Sequence, residues 1–186
     1  MYLETQRLIL RTVTLDDTDD MVEMQNDEVI LKYNCMKPMN PEEMRNFILT
    51  LQADDKHIVL HHKEDMKVIG FIDLGPDSLR YGVKSLTLSF YLNTNYTSQG
   101  FMSEALRKVI NHAFQTLQLD VVSARAFLPN LTSNRLLIRL GFTHEGTLRQ
   151  AVQGYNGIIY DDCVYSMTKD DFIRLNSMDS NPCGLL

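Results

Sequence analysis

Apolar and polar residues alternate from Leu86 to Leu92, with Leu86, Leu88, Phe90 and Leu92 on one side and Thr87, Ser89 and Tyr91 on the other. A period of two predicts a strand. The period then changes. Ala105, Leu106, Val109, Ile110, Ala113, Phe114 and Leu117 recur at helical spacing and predict an amphipathic helix over 103–118. Leu136, Leu137 and Leu140 make a shorter stripe and predict a helix over 133–140, capped by Thr132 or Ser133 and ended by Gly141. Val121 to Phe127 reads as a strand closed by Pro129, and Tyr155-Asn156-Gly157 reads as a hairpin turn between two late strands. Near the start, Thr14-Leu15-Asp16-Asp17 opens one helical region, and a second helix runs from Glu42 to about Leu51 after Pro38 and Pro41 break the chain. The order is strand, two helices, three strands, helix, strand, helix, two strands. It predicts one mixed α/β (α+β) domain over 1–175 with a largely antiparallel sheet, followed by a polar, loose tail over 176–186.

Composition narrows the class. A chain of 186 residues with 44% hydrophobic and 23% charged residues suits one soluble domain with a proper core. No apolar run is long enough to cross a membrane, and Met1-Tyr2-Leu3-Glu4 lacks the basic and apolar regions of a signal peptide. Cys35, Cys163 and Cys183 form neither a disulfide framework nor a zinc pattern, so a reducing cytoplasm is the expected setting. The net charge of −6 comes without a basic stripe, which excludes general nucleic-acid binding. His57, His61 and His62 share one strand-like segment, but His61 and His62 point to opposite faces, so no metal site is expected there.

Two segments carry candidate chemistry. Ser98-Gln99-Gly100-Phe101-Met102-Ser103 lies between the 86–92 strand and the long helix. Amides in a first helical turn have no partner within the helix, and the helix dipole adds partial positive charge there, so this geometry binds phosphate. Gly100 lets an anion approach the backbone. Asn130 and Ser133 sit at the entrance of the short helix, where polar groups face a ligand or simply cap the helix.

In this order the two segments resemble the GNAT superfamily of acetyl-CoA-dependent acetyltransferases. More narrowly they resemble its RimJ/RimL type, the branch named for N-terminal acetylation of ribosomal proteins. The resemblance covers most of the chain. Glu4 to Arg11 looks like the opening strand of that branch, and Val68 to Ile72 like its third. Phe90 to Ala105 is similar to the pyrophosphate-binding segment, and Asn130 to Phe142 to the coenzyme-side helix. Glu145 to Arg149 and Asp161 to Met167 look like the last strands.

The resemblance implies a GNAT-like sheet whose fourth and fifth strands splay around the pantetheine arm of acetyl-CoA. Backbone groups at Tyr91, Leu92 and Asn93 would hold the arm and polarise the thioester. The amides of Ser98, Gln99, Gly100, Phe101, Met102 and Ser103 would hold the pyrophosphate, and Asn130 the pantetheine. Ser133 would hydrogen-bond or protonate the departing thiolate. No metal is implied. The partner is an amine acceptor, a protein N-terminus or a small molecule, and dimerisation is common in the branch.

Carboxylates that act as base in related enzymes align with Thr87 and Thr94, and Thr97 replaces a usual Gln or Arg. Freeing a lysine-like amine of its proton at pH 7 costs ~4.6 kcal/mol, against ~1 kcal/mol for an α-amine. A site without a strong base therefore favours a peptide α-amine. The same threonines keep open a second reading, a catalytically weak coenzyme-binding sensor.

Overall fold

The computed structural model describes residues 1–179. Its strands are β1 (Tyr2–Glu4), β2 (Leu8–Thr12), β3 (His57–His62), β4 (Lys67–Pro76), β5 (Ser85–Leu92), β6 (Val121–Phe127), β7 (Thr143–Gln153) and β8 (Ile159–Thr168). Its helices are α1 (Thr18–Gln25), α2 (Glu28–Lys32), α3 (Pro41–Leu51), α4 (Phe101–Gln115), α5 (Leu131–Arg139) and α6 (Lys169–Asp179). The strands form one 8-stranded sheet in the order β1-β2-β3-β4-β5-β6-β8-β7. Every pairing is antiparallel except that of β5 with β6. The exception follows from the connection. A helix, α4, carries the chain from the end of β5 back to the start of β6, as a parallel pair requires.

Helices cover both faces of the sheet. On one face Ile58, Leu60, Ile72, Leu74 and Leu88 pack against Phe101, Ala105, Leu106, Val109, Ile110, Ala113 and Phe114 of α4 and against Leu136, Leu137 and Leu140 around α5. On the other, Val59 and Phe71 pack against Met21, Met24, Met44 and Ile48 of α1 and α3. β4 is covered on both sides, which explains its nearly unbroken run of buried residues. A large side chain such as Leu106 gains ~1.5–3 kcal/mol from full burial.

Several boundaries differ from the sequence reading. α4 begins at Phe101 rather than Ser103 and ends at Gln115, which leaves Leu117 exposed. Pro41 does not break the chain; it occupies the first turn of α3, where its missing N–H is harmless. Asn40 caps α3 by accepting from Glu43 N at 2.9 Å, while Glu43 accepts from Asn40 N at 2.9 Å. The cap of α5 is Asn130, not Thr132 or Ser133, and its side chain accepts from Ser133 N. Gly141 does end that helix in the left-handed region, at φ +93. β1, α2 and α6 were not anticipated. β1 has 3 residues and α2 has 5, too few for a period to emerge. α6 is mostly polar, and Phe172 is its buried anchor among the described residues. Residues 176–179, expected to be loose, belong to this helix, and the rest of the expected tail lies outside the described residues.

The splay is present. β5 and β6, the fourth and fifth strands of the sequence reading, pair from Ser85↔Val121 to Leu88↔Ala124 and then part. α4 follows β5 and α5 follows β6, so both helix N-termini stand at the same end of the opening.

Candidate active site

The loop before α4 is built to present its amides. Ser98 (φ +61) and Gly100 (φ +84) both take left-handed backbone, which turns the chain sharply just before α4. A Cβ on Gly100 would meet only Arg7 Nη2 at 3.5 Å, so the backbone angle rather than crowding calls for glycine. The first helical bond of α4 runs from Glu104 N to Gly100 O at 3.0 Å. Among the described residues, no protein acceptor takes the N–H of Ser98, Gln99, Gly100, Phe101, Met102 or Ser103. The Phe101 and Met102 side chains are buried and hold the turn in place.

Arg7 is a site neighbour that the sequence reading missed. Its Nη1 donates to Gln99 O at 3.0 Å and its Nε to Glu104 Oε2 at 2.7 Å, and its guanidinium lies 4.1 Å from the centre of the Phe101 ring. It braces the loop against the helix start. Nothing local in the sequence marks it, because its ion-pair partner lies 97 residues away.

The three residues assigned to the thioester arm divide. Asn93 donates its N–H to Ile69 O at 2.8 Å, its carbonyl accepts from Tyr96 N, and its side chain donates to Glu23 Oε1 at 2.7 Å and accepts from Asn95 N. Its polar groups are thus engaged within the protein, and Asn93 ties the end of β5 to α1. Strand alternation then turns the backbone of Tyr91 toward β4 as well, and that of Phe90 and Leu92 toward the opening. Of the assigned residues, Leu92 remains a backbone donor at the splay, joined by Phe90, which was not assigned.

A cavity of about 600 Å³ lies beside the opening. Tyr91, Asn130 and Ser133 line it, whereas the 98–103 loop does not. Ser133 is half-buried, and among the described residues its hydroxyl has no partner, while its N–H is held by Asn130 Oδ1 at 3.2 Å. Asn134, also missed, pins the turn behind it. Its side-chain amide donates to Phe127 O, Leu128 O and Asn130 O, and its oxygen accepts from Tyr165 Oη at 2.7 Å. Burial pushes the Tyr91 phenol up, so this wall residue keeps its proton at ordinary pH.

Two pairs of polar side chains complete the wall. His57 Nδ1 lies 2.6 Å from Asp73 Oδ1, and Arg125 Nε donates to Asp162 Oδ2 at 2.5 Å. Burial pushes the Asp162 carboxyl up, against the opposing pull of Arg125. Thr87 and Thr94, the positions aligned with a base, are elsewhere engaged. Thr87 Oγ1 lies 2.8 Å from Ser123 Oγ, and Thr94 Oγ1 donates to Asp27 Oδ2 at 2.7 Å. Asp73 and Asp162 bring carboxylates to the cavity wall from other strands.

Free amides near a helix start, open strand edges and a walled cavity between them fit a pyrophosphate with a thioester arm. Comparison with known proteins agrees. The acetyltransferase (GNAT) domain family matches residues 7–143. The uncharacterized N-acetyltransferase YoaA of Bacillus subtilis is 33% identical over 173 residues, covering 90% of this chain and 96% of its own. The ribosomal-protein-S5-alanine acetyltransferase of Vibrio fischeri superposes with a TM-score of 0.80 at 20% identity, covering 92% of this chain and 98% of its own. The microcin C7 self-immunity acetyltransferase MccE, solved with acetyl-CoA and AMP, superposes at 0.74 with 22% identity, over 88% and 93% of the two chains. No helix among the described residues is long and apolar enough to cross a membrane. With most of its length matched by that family and by a named N-acetyltransferase, the chain belongs to the GNAT acetyltransferases, enzymes whose acetyl donor is acetyl-CoA.

Proposed function

We propose that the protein acetylates a primary amine by direct attack in a ternary complex, and that its acceptor is an α-amine of the kind the RimJ/RimL branch takes. The observation that carries this reading is the wall shared by Asp73, His57 and Ser133 beside the parted ends of β5 and β6. Acetyl-CoA supplies the thioester; the new C–N bond forms as the C–S bond breaks. The amides of Ser98 to Ser103 hold the pyrophosphate, and the Leu92 and Phe90 backbone N–H groups face the carbonyl where negative charge develops. Asp73, with His57 beside it, takes the proton that the amine loses. Ser133 donates its hydroxyl hydrogen bond to the departing sulfur.

The α-amine preference rests on the smaller proton cost, ~1 against ~4.6 kcal/mol at pH 7. Likeness to the ribosomal-protein acetyltransferase supports the branch through fold alone. Cys35 and Cys163 are free thiols, which suits a cytoplasmic setting. The test is incubation with acetyl-CoA and a mixed panel of amines, reading free thiol above background hydrolysis. Coenzyme binding without turnover on any amine would replace the enzyme with the sensor. Ser133→Ala should lower kcat ~100-fold with little change in coenzyme Kd; an unchanged kcat removes Ser133 from the chemistry.

A further inference from the structure

Resting on that reading, we propose that the acceptor carries a carboxylate near its amine and that Arg125 receives it. Four cavity residues form one row across neighbouring strands. His57 faces Asp73 across β3 and β4, and Asp73 faces Ser89 across β4 and β5. The last parallel rung joins Leu88 to Ala124, so Ser89 and Arg125 come next and share a face. At ~4.8 Å per strand, the backbones of Asp73 and Arg125 stand ~10 Å apart, and somewhat more where the strands part. Their side chains shorten that span to the size of a small amino-acid unit.

The two ends of the row differ in sign and in freedom. At one end Asp73 sits against His57. At the other, Arg125 spends only Nε on the protein; among the described residues, Nη1 and Nη2 donate to nothing. The Asp162 side chain is 4% exposed, and its second oxygen is buried without a partner. Arg125 is thus the group that compensates this buried carboxylate, which fixes where the guanidinium lies. The Arg125 side chain itself is 37% exposed and lines the cavity. A guanidinium held by one edge presents the paired N–H groups that match a carboxylate. An amine directed to Asp73 and a carboxylate directed to Arg125 would place the nitrogen between them, beside the parted strands where the thioester must lie.

The test compares amines that differ only by carboxylate against amide. One arm sets a free α-amino acid against its amide. The other sets a short peptide with Asp at its second position against the same peptide with Asn. The carboxylate form should win in kcat/KM by about tenfold or more in one arm, mainly through KM, as one charge-assisted bidentate contact provides. The arm that responds identifies the source of the carboxylate. An amino-acid amide has the less basic amine, so in that arm the preference runs against intrinsic reactivity. Arg125→Lys, which keeps charge but loses the fork, should shrink the preference. Arg125→Gln combined with Asp162→Asn removes both charges of the pair and should abolish it. Equal kcat/KM for both forms in both arms overturns this proposal while acetyl transfer stands. A double variant that keeps the preference but binds coenzyme A weakly also overturns it and gives Arg125 to the coenzyme. No turnover on any amine overturns the underlying reading as well.

Discussion

Gly100 offers a controlled test of the coenzyme site. Its φ of +84 lies in the left-handed region, and a Cβ there would meet nothing closer than Arg7 Nη2 at 3.5 Å. Gly100→Ala therefore introduces backbone strain without a clash, worth ~1–2 kcal/mol. The free loop relieves the strain by turning its amides away, and binding has to restore them. Coenzyme Kd should then rise by ~5–30-fold, the same free energy expressed as a population shift. Gly82 is the matched control. Its φ is +68 and a Cβ there would meet nothing within 4 Å, but it precedes the start of β5 whereas Gly100 follows its end. Strand length puts the two ~25 Å apart. Titration calorimetry with coenzyme A, alongside urea unfolding, separates the outcomes. Both variants should lose ~1–2 kcal/mol of stability or less, and only Gly100→Ala should lose affinity. Wild-type affinity in Gly100→Ala, or equal weakening in Gly82→Ala, refutes the assignment of the pyrophosphate to this loop.

Other outcomes follow from the same geometry. Asp73→Asn should lower kcat/KM for the amine ~100-fold while coenzyme Kd stays close to wild type; a rate within twofold of wild type removes Asp73 as proton acceptor. Asn130→Ala removes the cap of α5 and should cost ~1 kcal/mol in urea unfolding, with an unchanged midpoint counting against the cap. Asp17 is buried and takes two bonds from Arg11, at 2.8 and 2.7 Å, and one from Thr14 N at 2.8 Å. Burial alone would raise its carboxyl, but these donors hold it below its usual value of 3.8. Its contribution to stability is thus fully present above that value and fades as pH falls through the lower, folded-state pKa. Asp17→Asn should cost ~2 kcal/mol at pH 7, less than a fully buried pair because Arg11 keeps 26% exposure, and should flatten the acid limb of stability against pH. An acid limb as steep as wild type would show that other carboxylates set it.

Strands, helices and stops were legible because each is a local statement. The alternation from Leu86 to Leu92 and the stripe from Ala105 to Phe114 compare residues a few positions apart, and the observed β5 and α4 follow them. Gly100 and Gly141 could be read for the same reason, since a left-handed turn is a property of one residue. The engagement of Asn93 was not legible, because its hydrogen bonds reach Glu23 and Ile69, on elements distant in the chain. The polar wall of the cavity was hidden in the same way. His57, Asp73, Arg125 and Asp162 look like scattered polar residues until the register of five strands aligns them.

Periods of two and 3.6 residues are set by neighbours along the backbone, so the sequence by itself determined most of the longer elements, the left-handed turn at Gly100 and the likeness to acetyltransferases. Register across a sheet is set by pairings that close long loops and bury one face at once. Only the tertiary structure could therefore decide which side chains meet at the end of the opening, and with them where an acceptor's charges would sit.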